Sequence, residues 1–368
     1  MPEISNISAR KILDSRSSWT IETTLALGDS SGIASVPGGT SRGSFEAATL
    51  DILTALEKVE LLNKNLSGRD FATQRDFDNF LIRCDGTKNK SNLGGNTILS
   101  LSIAFAKALA KVRKIRLYQY IAQLAGVTSF MKPRIMMLIF EGGRHGEGSS
   151  ITIQEFMVIV DAVDAGDKVY DAARMYLLSR KLPVEVGLEG AFSPLELDNV
   201  GVLNVLKEIS PYPVALDAAA TSSKKLPVYE EMLHKFNIVS IEDPYNEEDW
   251  AKWAEFNRNF GDKILVVGDD LIVTNPLRIK KAIYLKACNA VIIKPNQVGT
   301  VTETLESITL ARNAGFKVIV SHRSGETNDS FIADLAAGVN ADYVKFGAPS
   351  RGERVAKYNR LLEIFPDI

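Results

Sequence analysis

The feature that most constrains this chain is a succession of eight short apolar runs from residue 134 onward, interleaved with amphipathic stretches such as "DKVYDAARMYLLSRKL" and "TETLESITLARNAG". The runs are "RIMMLIF", "TIQEFMVIV", "PVALDAA", "NIVSIEDP", "KILVVGDD", "AVIIKPN", "KVIVSHRS" and "DYVKFGA". Strand and helix in alternation predict parallel β/α units, and eight of them predict an α/β fold closed into a (β/α)8 barrel. Each of the last six runs ends in a side chain able to carry charge or ligate: Asp217, Glu242, Asp269, Lys294, His322 and Lys345, roughly 25 residues apart. Strand ends in such a barrel emerge on one face, so the six converge on a single mouth. The ammonium group of Lys294, closing a buried run, is costly unless it points into such a site.

The first third reads differently. "WTIETTLALGD" alternates as a strand, "SSGIASVPGGTSRGS" is a glycine-rich loop, and a helix is expected from Ser44 as N-cap through "SFEAATLDILTALEKVELLNKNL". "NTILSLSIAFAKALAKVRKIRLYQYIAQLAG" predicts one long apolar helix or a pair. The expected organisation is an N-terminal α+β domain over residues 1–130 and the barrel over residues 131–368. With 43 basic against 45 acidic residues, a net charge of −2 and no basic block, nucleic-acid binding is not expected. Cys84 and Cys288 form neither a disulfide framework nor a metal knuckle. The polar start and the lack of any run near the roughly 20 apolar residues of a membrane span point to a soluble, cytoplasmic protein.

A lone acid at a strand end is more often a helix cap or a solvated loop group. Three in consecutive units are different: converging carboxylates repel unless a cation sits between them, and an all-oxygen set suits Mg²⁺. Asp217, Glu242 and Asp269 are therefore expected to form one metal site. Lys294 and Lys345, each a salt-bridge partner if taken alone, would hold a proton less firmly beside that cation. One is then expected as a neutral base and the other as a charged partner for an anion. His322, Arg323 and Ser324 offer donors suited to phosphate, and His145 lies in a glycine-containing loop near the mouth, whereas His234 sits on an amphipathic helix and reads as structural. Glu155 and Glu189 are acids in apolar surroundings, where burial raises a carboxyl pKa toward that of a general acid. The stretches "VPGGTSRGS" and "EGGRHGEGSS" match no nucleotide fingerprint and read as lids over the mouth.

Together with "ARKILDSR", "VPGGTSRGSFEA", "DGTKNKSNLGGN", "QEFM", "VGDDLIVTNP", "IIKPNQVGT", "SHRSGETNDSFIADLA" and "KFGAPSRGERVAKYNRLL", these segments resemble enolase, the phosphopyruvate hydratase of glycolysis, nearly end to end. The resemblance implies an enolase-type, TIM-like (β/α)8 barrel with an N-terminal α+β domain, and Mg²⁺-dependent reversible dehydration of 2-phosphoglycerate to phosphoenolpyruvate. It implies Asp217, Glu242 and Asp269 as ligands of the tighter of two Mg²⁺ ions, and Lys294 as the base that removes the C2 proton. Lys345 corresponds to the cation at the substrate carboxylate, and Glu189, with Glu155 beside it, to the acid that helps expel the C3 hydroxyl. His322, Arg323 and Ser324 fall at the phosphate end, Gln154 at a hydrogen-bonding position and His145 on a closing loop.

Departures from the family pattern are as specific. Gly38 stands where a serine usually reaches the second Mg²⁺, leaving a backbone carbonyl and weakening that site. Leu188 replaces an acid next to Glu189, and Glu141 replaces an asparagine, so the charge gained is expected to restore part of the field that was lost. The chain is shorter than usual between Glu189 and Asp217 and toward its end, and Glu22 and Glu363 occupy positions that elsewhere pair as glutamate and arginine across a dimer. Like charges cannot make that bridge, so any homo-oligomer is expected to use a non-standard interface. Two other readings stay open: an enolase-like lyase acting on a related phospho- or phosphono-carboxylate, and a non-catalytic binding protein of the same fold.

Overall fold

Alternation along Trp19–Leu27 buries Ile21, Thr23, Leu25 and Leu27 on one face and leaves the intervening residues partly exposed, which is the pattern of a strand covered on one side only. In the computed structural model, which describes residues 2–38, 45–145, 150–220 and 226–368, this strand is the centre of an antiparallel sheet. The sheet comprises β1 (Ile4–Leu13), β2 (Trp19–Leu27) and β3 (Ser30–Ser35). Four helices follow, α1 (Ile52–Leu66), α2 (Gln74–Asp85), α3 (Gly95–Val112) and α4 (Leu117–Ala125). The almost wholly buried α3 covers the sheet, and the Thr23 and Ser100 hydroxyls pair at 2.7 Å between them.

The helix expected from Ser44 starts later, at Ile52, with the Asp51 side chain accepting from the Thr54 N–H; Ser44 itself lies outside the described residues. Tertiary hydrogen bonds claim the intervening backbone. The Ala47 N–H donates to the Gln297 carbonyl (2.8 Å), the Ala48 N–H to Asn89 (2.7 Å), and the Ala48 carbonyl accepts from Gly95 (2.6 Å).

All eight apolar runs are strands: β4 (Arg134–Glu141), β5 (Glu155–Val160), β6 (Val214–Asp217), β7 (Ile238–Glu242), β8 (Leu265–Gly268), β9 (Ala290–Ile293), β10 (Lys317–Ser321) and β11 (Tyr343–Lys345). They close in chain order, β11 pairing back onto β4. The expectation of uniformly parallel units fails at β5, which runs antiparallel to both β4 and β6. The cause is the connection. A parallel pair needs a crossover, usually helical, whereas residues 142–154 contain no helix among those described, so β4 and β5 form a hairpin.

Around the barrel lie α5 (Val163–Ser179), α6 (Asn199–Ile209), α7 (Leu226–Lys235), α8 (Trp250–Phe260), α9 (Pro276–Leu285), the short α10 (Pro295–Val298), α11 (Val301–Asn313), α12 (Phe331–Gly338) and α13 (Gly352–Ile364). The barrel interior is filled by Met136, Leu138, Met157, Ile159, Ala215, Val267, Ile292 and Ile319, a core separate from the larger one between strands and helices. The N-terminal segment is tied to the barrel by Lys107 to Asp329 (2.7 Å), by the Thr302 N–H to Asp78 (2.9 Å), and by a mutual backbone pair between Gly38 and Gly325. Glu22 and Glu363 each have an arginine within the chain, Arg10 and Arg360, both at 2.6 Å. No helix among the described residues is long and apolar enough to cross a membrane.

Candidate active site

Side chains alternate in a strand, so the residue two places beyond an inward-facing one also faces inward. Asp217 follows Ala215 by two, Asp269 follows Val267 and Lys294 follows Ile292, which carries the lining of the barrel interior up to its mouth. Glu242 is set beside Asp217 by strand register. Because β5 is reversed, its beginning rather than its end reaches the mouth, and Glu155 pairs in register with both Glu141 and Asp217. One cavity is lined by Asp217, Asp269, Lys294, Lys345, Glu155, Glu189, His145, Gln154, His322, Arg323 and Ser324. Glu242 does not line it but lies against Lys345. The convergence read from the strand ends is present.

Lys345, buried at the end of β11, points its Nζ at Asp217 (2.9 Å), Glu242 (2.8 Å) and Glu155 (3.1 Å). Lys294 pairs with Asp269, whose other oxygen accepts from the Gln297 amide at 3.1 Å. Burial alone would lower both lysine pKa values, but Asp269 beside Lys294, and Asp217, Glu155 and Glu242 around Lys345, outweigh it and hold both groups above the usual lysine range. A downward shift needs positive charge placed between the acids, and here the acids face the ammonium groups directly.

The residues present fit a hard divalent cation. Glu242 Oε1 is buried without a hydrogen-bond partner, and its carboxyl is held well above the usual range by burial and by Asp217, which together outweigh Lys345. Carboxylate oxygens of Asp243, Asp269 and Asp270 lie within 4.8 Å of one another. The set is oxygen only, which favours Mg²⁺ over softer metals. Of the expected ligands Asp217, Glu242 and Asp269, this cluster contains Asp269. Asp243, the second acid of "EDP", has φ 44° and accepts from the N–H groups of Asp269 (3.0 Å) and Asp270 (2.8 Å), fixing the end of β8. The expected second-site carbonyl of Gly38 is already engaged: it accepts from Gly325 N–H (3.0 Å) and Arg16 Nη2 (3.2 Å), and Gly38 does not line the cavity.

The two acids behave oppositely. Glu155 is raised well above the usual range by burial, as expected, with Lys345 opposing. Glu189 is not: although burial pushes it up, His322 and His145 with Arg354 behind them hold it well below the usual range. Its Oε2 lies 3.0 Å from His322 Nε2 and its Oε1 3.8 Å from His145 Nδ1. Glu141, wholly buried, is pushed up to about 8 by burial and by Glu189, so it carries a proton near neutral pH.

Arg323, expected at the phosphate, has its guanidinium on Glu46 (3.0 and 3.3 Å) and Asn296 (3.0 Å). The whole His322–Ser324 segment hangs from Arg354, which the sequence reading did not single out. Arg354 donates to His322 Nδ1 (2.9 Å) and to the carbonyls of Arg323 (2.6 Å) and Ser324 (2.7 Å). A signal was available. On α13, Arg354, Lys357, Tyr358 and Leu361 form a buried stripe at helical core spacing, and two cations in such a stripe must be answering buried acceptors.

A guanidinium can only donate, so neutral His322 must carry its proton on Nε2, toward Glu189. Burial lowers its pKa to about 3. The unfolded ring binds a proton below its ordinary value of about 6.5 while the folded one does not, so stability falls as pH drops from 6.5 toward 3. Urea midpoints taken between pH 7 and 4 should show this slope, up to about 1.4 kcal/mol per pH unit from this group, and His322→Gln should flatten it.

Two family models match the chain. "Enolase, N-terminal domain" covers residues 4–121 and "Enolase, C-terminal TIM barrel domain" covers residues 213–368. The latter contains all three candidate Mg²⁺ ligands, both lysines and the His322–Ser324 segment. His145, Gln154, Glu155 and Glu189 lie between the two matches and join the site from the β4–β5 hairpin and from the segment that follows α5. Together the two matches span most of the chain, which belongs to the enolase family.

Proposed function

We propose that the protein catalyses the Mg²⁺-dependent, reversible dehydration of 2-phosphoglycerate to phosphoenolpyruvate, a glycolytic hydro-lyase step, in the cytoplasm. The observation that carries this is the order of strands around the mouth. Lys294 follows β9 and Glu155 opens β5, four strands apart in a closed barrel of eight, so base and acid face each other across the cavity. Asp217, Glu242 and Asp269 come from β6, β7 and β8, the arc between them. An elimination that takes a proton from one carbon and a hydroxyl from the opposite face of the next needs this arrangement.

Lys294 in its neutral form would remove the C2 proton, and Glu155, whose carboxyl is held above the usual range, would deliver one to the departing C3 hydroxyl with the carboxylate of Glu189 beside it. Mg²⁺, when bound, supplies positive charge against the second negative charge that builds on the substrate carboxylate. Lys345 adds a fixed cation there, His322, Arg323 and Ser324 meet the phosphate end, and Gln154 and His145 complete the wall.

The test is ultraviolet detection of phosphoenolpyruvate formed from 2-phosphoglycerate over a Mg²⁺ titration. Turnover is expected, with an unusually high Mg²⁺ requirement, because Gly38 lacks a side-chain oxygen and its carbonyl is engaged elsewhere. No turnover at any Mg²⁺ concentration, together with tight binding of a phosphono-carboxylate, would favour a lyase for a related acid, a reading motivated by Leu188 beside Glu189.

A further inference from the structure

We infer that Glu141 is a positioning residue for Glu189: its buried carboxyl group clamps, through two backbone N–H groups, the turn from which Glu189 reaches the mouth. This rests on the role of Glu189 proposed above. Glu141 is the last residue of β4, and its side chain accepts from the Glu189 N–H (3.1 Å to one oxygen, 3.3 Å to the other) and from the Ala191 N–H (3.0 Å). The strand backbone stitches the far side of the turn as well, Glu141 N–H to the Phe192 carbonyl (2.9 Å) and Phe192 N–H to Ile139 (3.1 Å). The fit is close. A methyl group at Gly187 would come within 2.6 Å of Glu141 Cδ, so no side chain can stand between clamp and turn.

What the clamp needs is an acceptor oxygen and not charge, because Glu141 Oε1 alone accepts from both the Ala191 N–H (3.0 Å) and the Glu189 N–H (3.3 Å), a place that an amide oxygen can take. Buried N–H groups without an acceptor draw a turn toward any alternative partner. Here that movement would carry Glu189 away from His322 Nε2, now 3.0 Å distant, and from His145. The replacements at 141 and 188 are thus joined through the backbone of one turn, with Leu188 half-buried on it.

Glu141→Gln and Glu141→Leu in the full chain separate acceptor from charge, since glutamine keeps an acceptor oxygen and leucine keeps only volume. At saturating Mg²⁺, E141Q is expected to retain kcat within about 3-fold, and E141L to lose about 10- to 100-fold in kcat with KM changed less than about 3-fold, as for a catalytic group displaced by about 1 Å. The chain has only 3 histidines, so the His322 Nε2–H proton resonance can be assigned; it should stay in place in E141Q and move or vanish in E141L. If E141L does not fold, E141A takes its place. Equal loss in both variants would overturn the inference by making the charge itself necessary, and so would wild-type kcat with an unmoved resonance in E141L. A wild-type protein inactive on 2-phosphoglycerate would sink the proposed function, while the resonance would still decide the role of Glu141.

Discussion

Lys294→Ala should lower kcat for phosphoenolpyruvate formation by about 10²- to 10⁴-fold, the range associated with removing a general base. The side chain makes its ion pair with Asp269, and Asp269 keeps the Gln297 amide at 3.1 Å when the lysine is gone, so the fold should survive. The backbone N–H of residue 294 still donates to Thr274 Oγ1 at 2.9 Å. Following exchange of the substrate C2 hydrogen with solvent deuterium isolates the step, because a base variant should stop exchange and net turnover together. Exchange at the wild-type rate in Lys294→Ala would remove this residue from the mechanism.

Arg354→Met should be the most damaging single change to stability at the site. Arg354 is fully buried, and its loss takes a donor away from one ring nitrogen and two carbonyl oxygens, of which the Ser324 carbonyl keeps a longer contact from Ser15 Oγ at 3.5 Å. Taking the donor away from a buried acceptor costs about 1–3 kcal/mol per group. Urea unfolding should report a loss of that size. Arg354→Lys should not recover it, because a single ammonium cannot span three acceptors set by a planar fork. kcat should fall as well, since His322 would lose the donor that fixes its proton toward Glu189. A midpoint within experimental error of wild type would mean that the segment is held by other contacts.

Much of this molecule is legible in its sequence. A strand crossing a barrel needs only a few apolar residues, and the runs from "RIMMLIF" to "DYVKFGA" all became strands. Charged ends at one-unit spacing then named most of the mouth. What failed was whatever depends on distance between remote segments. Periodicity carries no direction, so the reversal of β5 was invisible until its pairing with β4 was seen. The apolar neighbours of Glu189 suggested a raised pKa, yet the groups that lower it, His322 and Arg354, lie far along the chain. The expected helix start at Ser44 gave way to Ile52 because Gln297, Asn89 and Gly95 took the backbone groups of Ala47 and Ala48. Asp243 and Asp270 are the second letters of "ED" and "DD", each one residue beyond the strand-end acid to which the β/α spacing points.

The reversed strand has a bearing on how the barrel assembles. Neighbouring parallel strands must wait for an intervening helix to be laid down and folded back, whereas β4 and β5 can zip together as soon as the segment joining them closes on itself. Chain closure over so short a span loses little entropy compared with the joining of β11 to β4 from opposite ends of the barrel segment. A nascent ribbon would therefore place Glu141 opposite Glu155 early, giving the later strands a template with two of the site's carboxyl groups already in register.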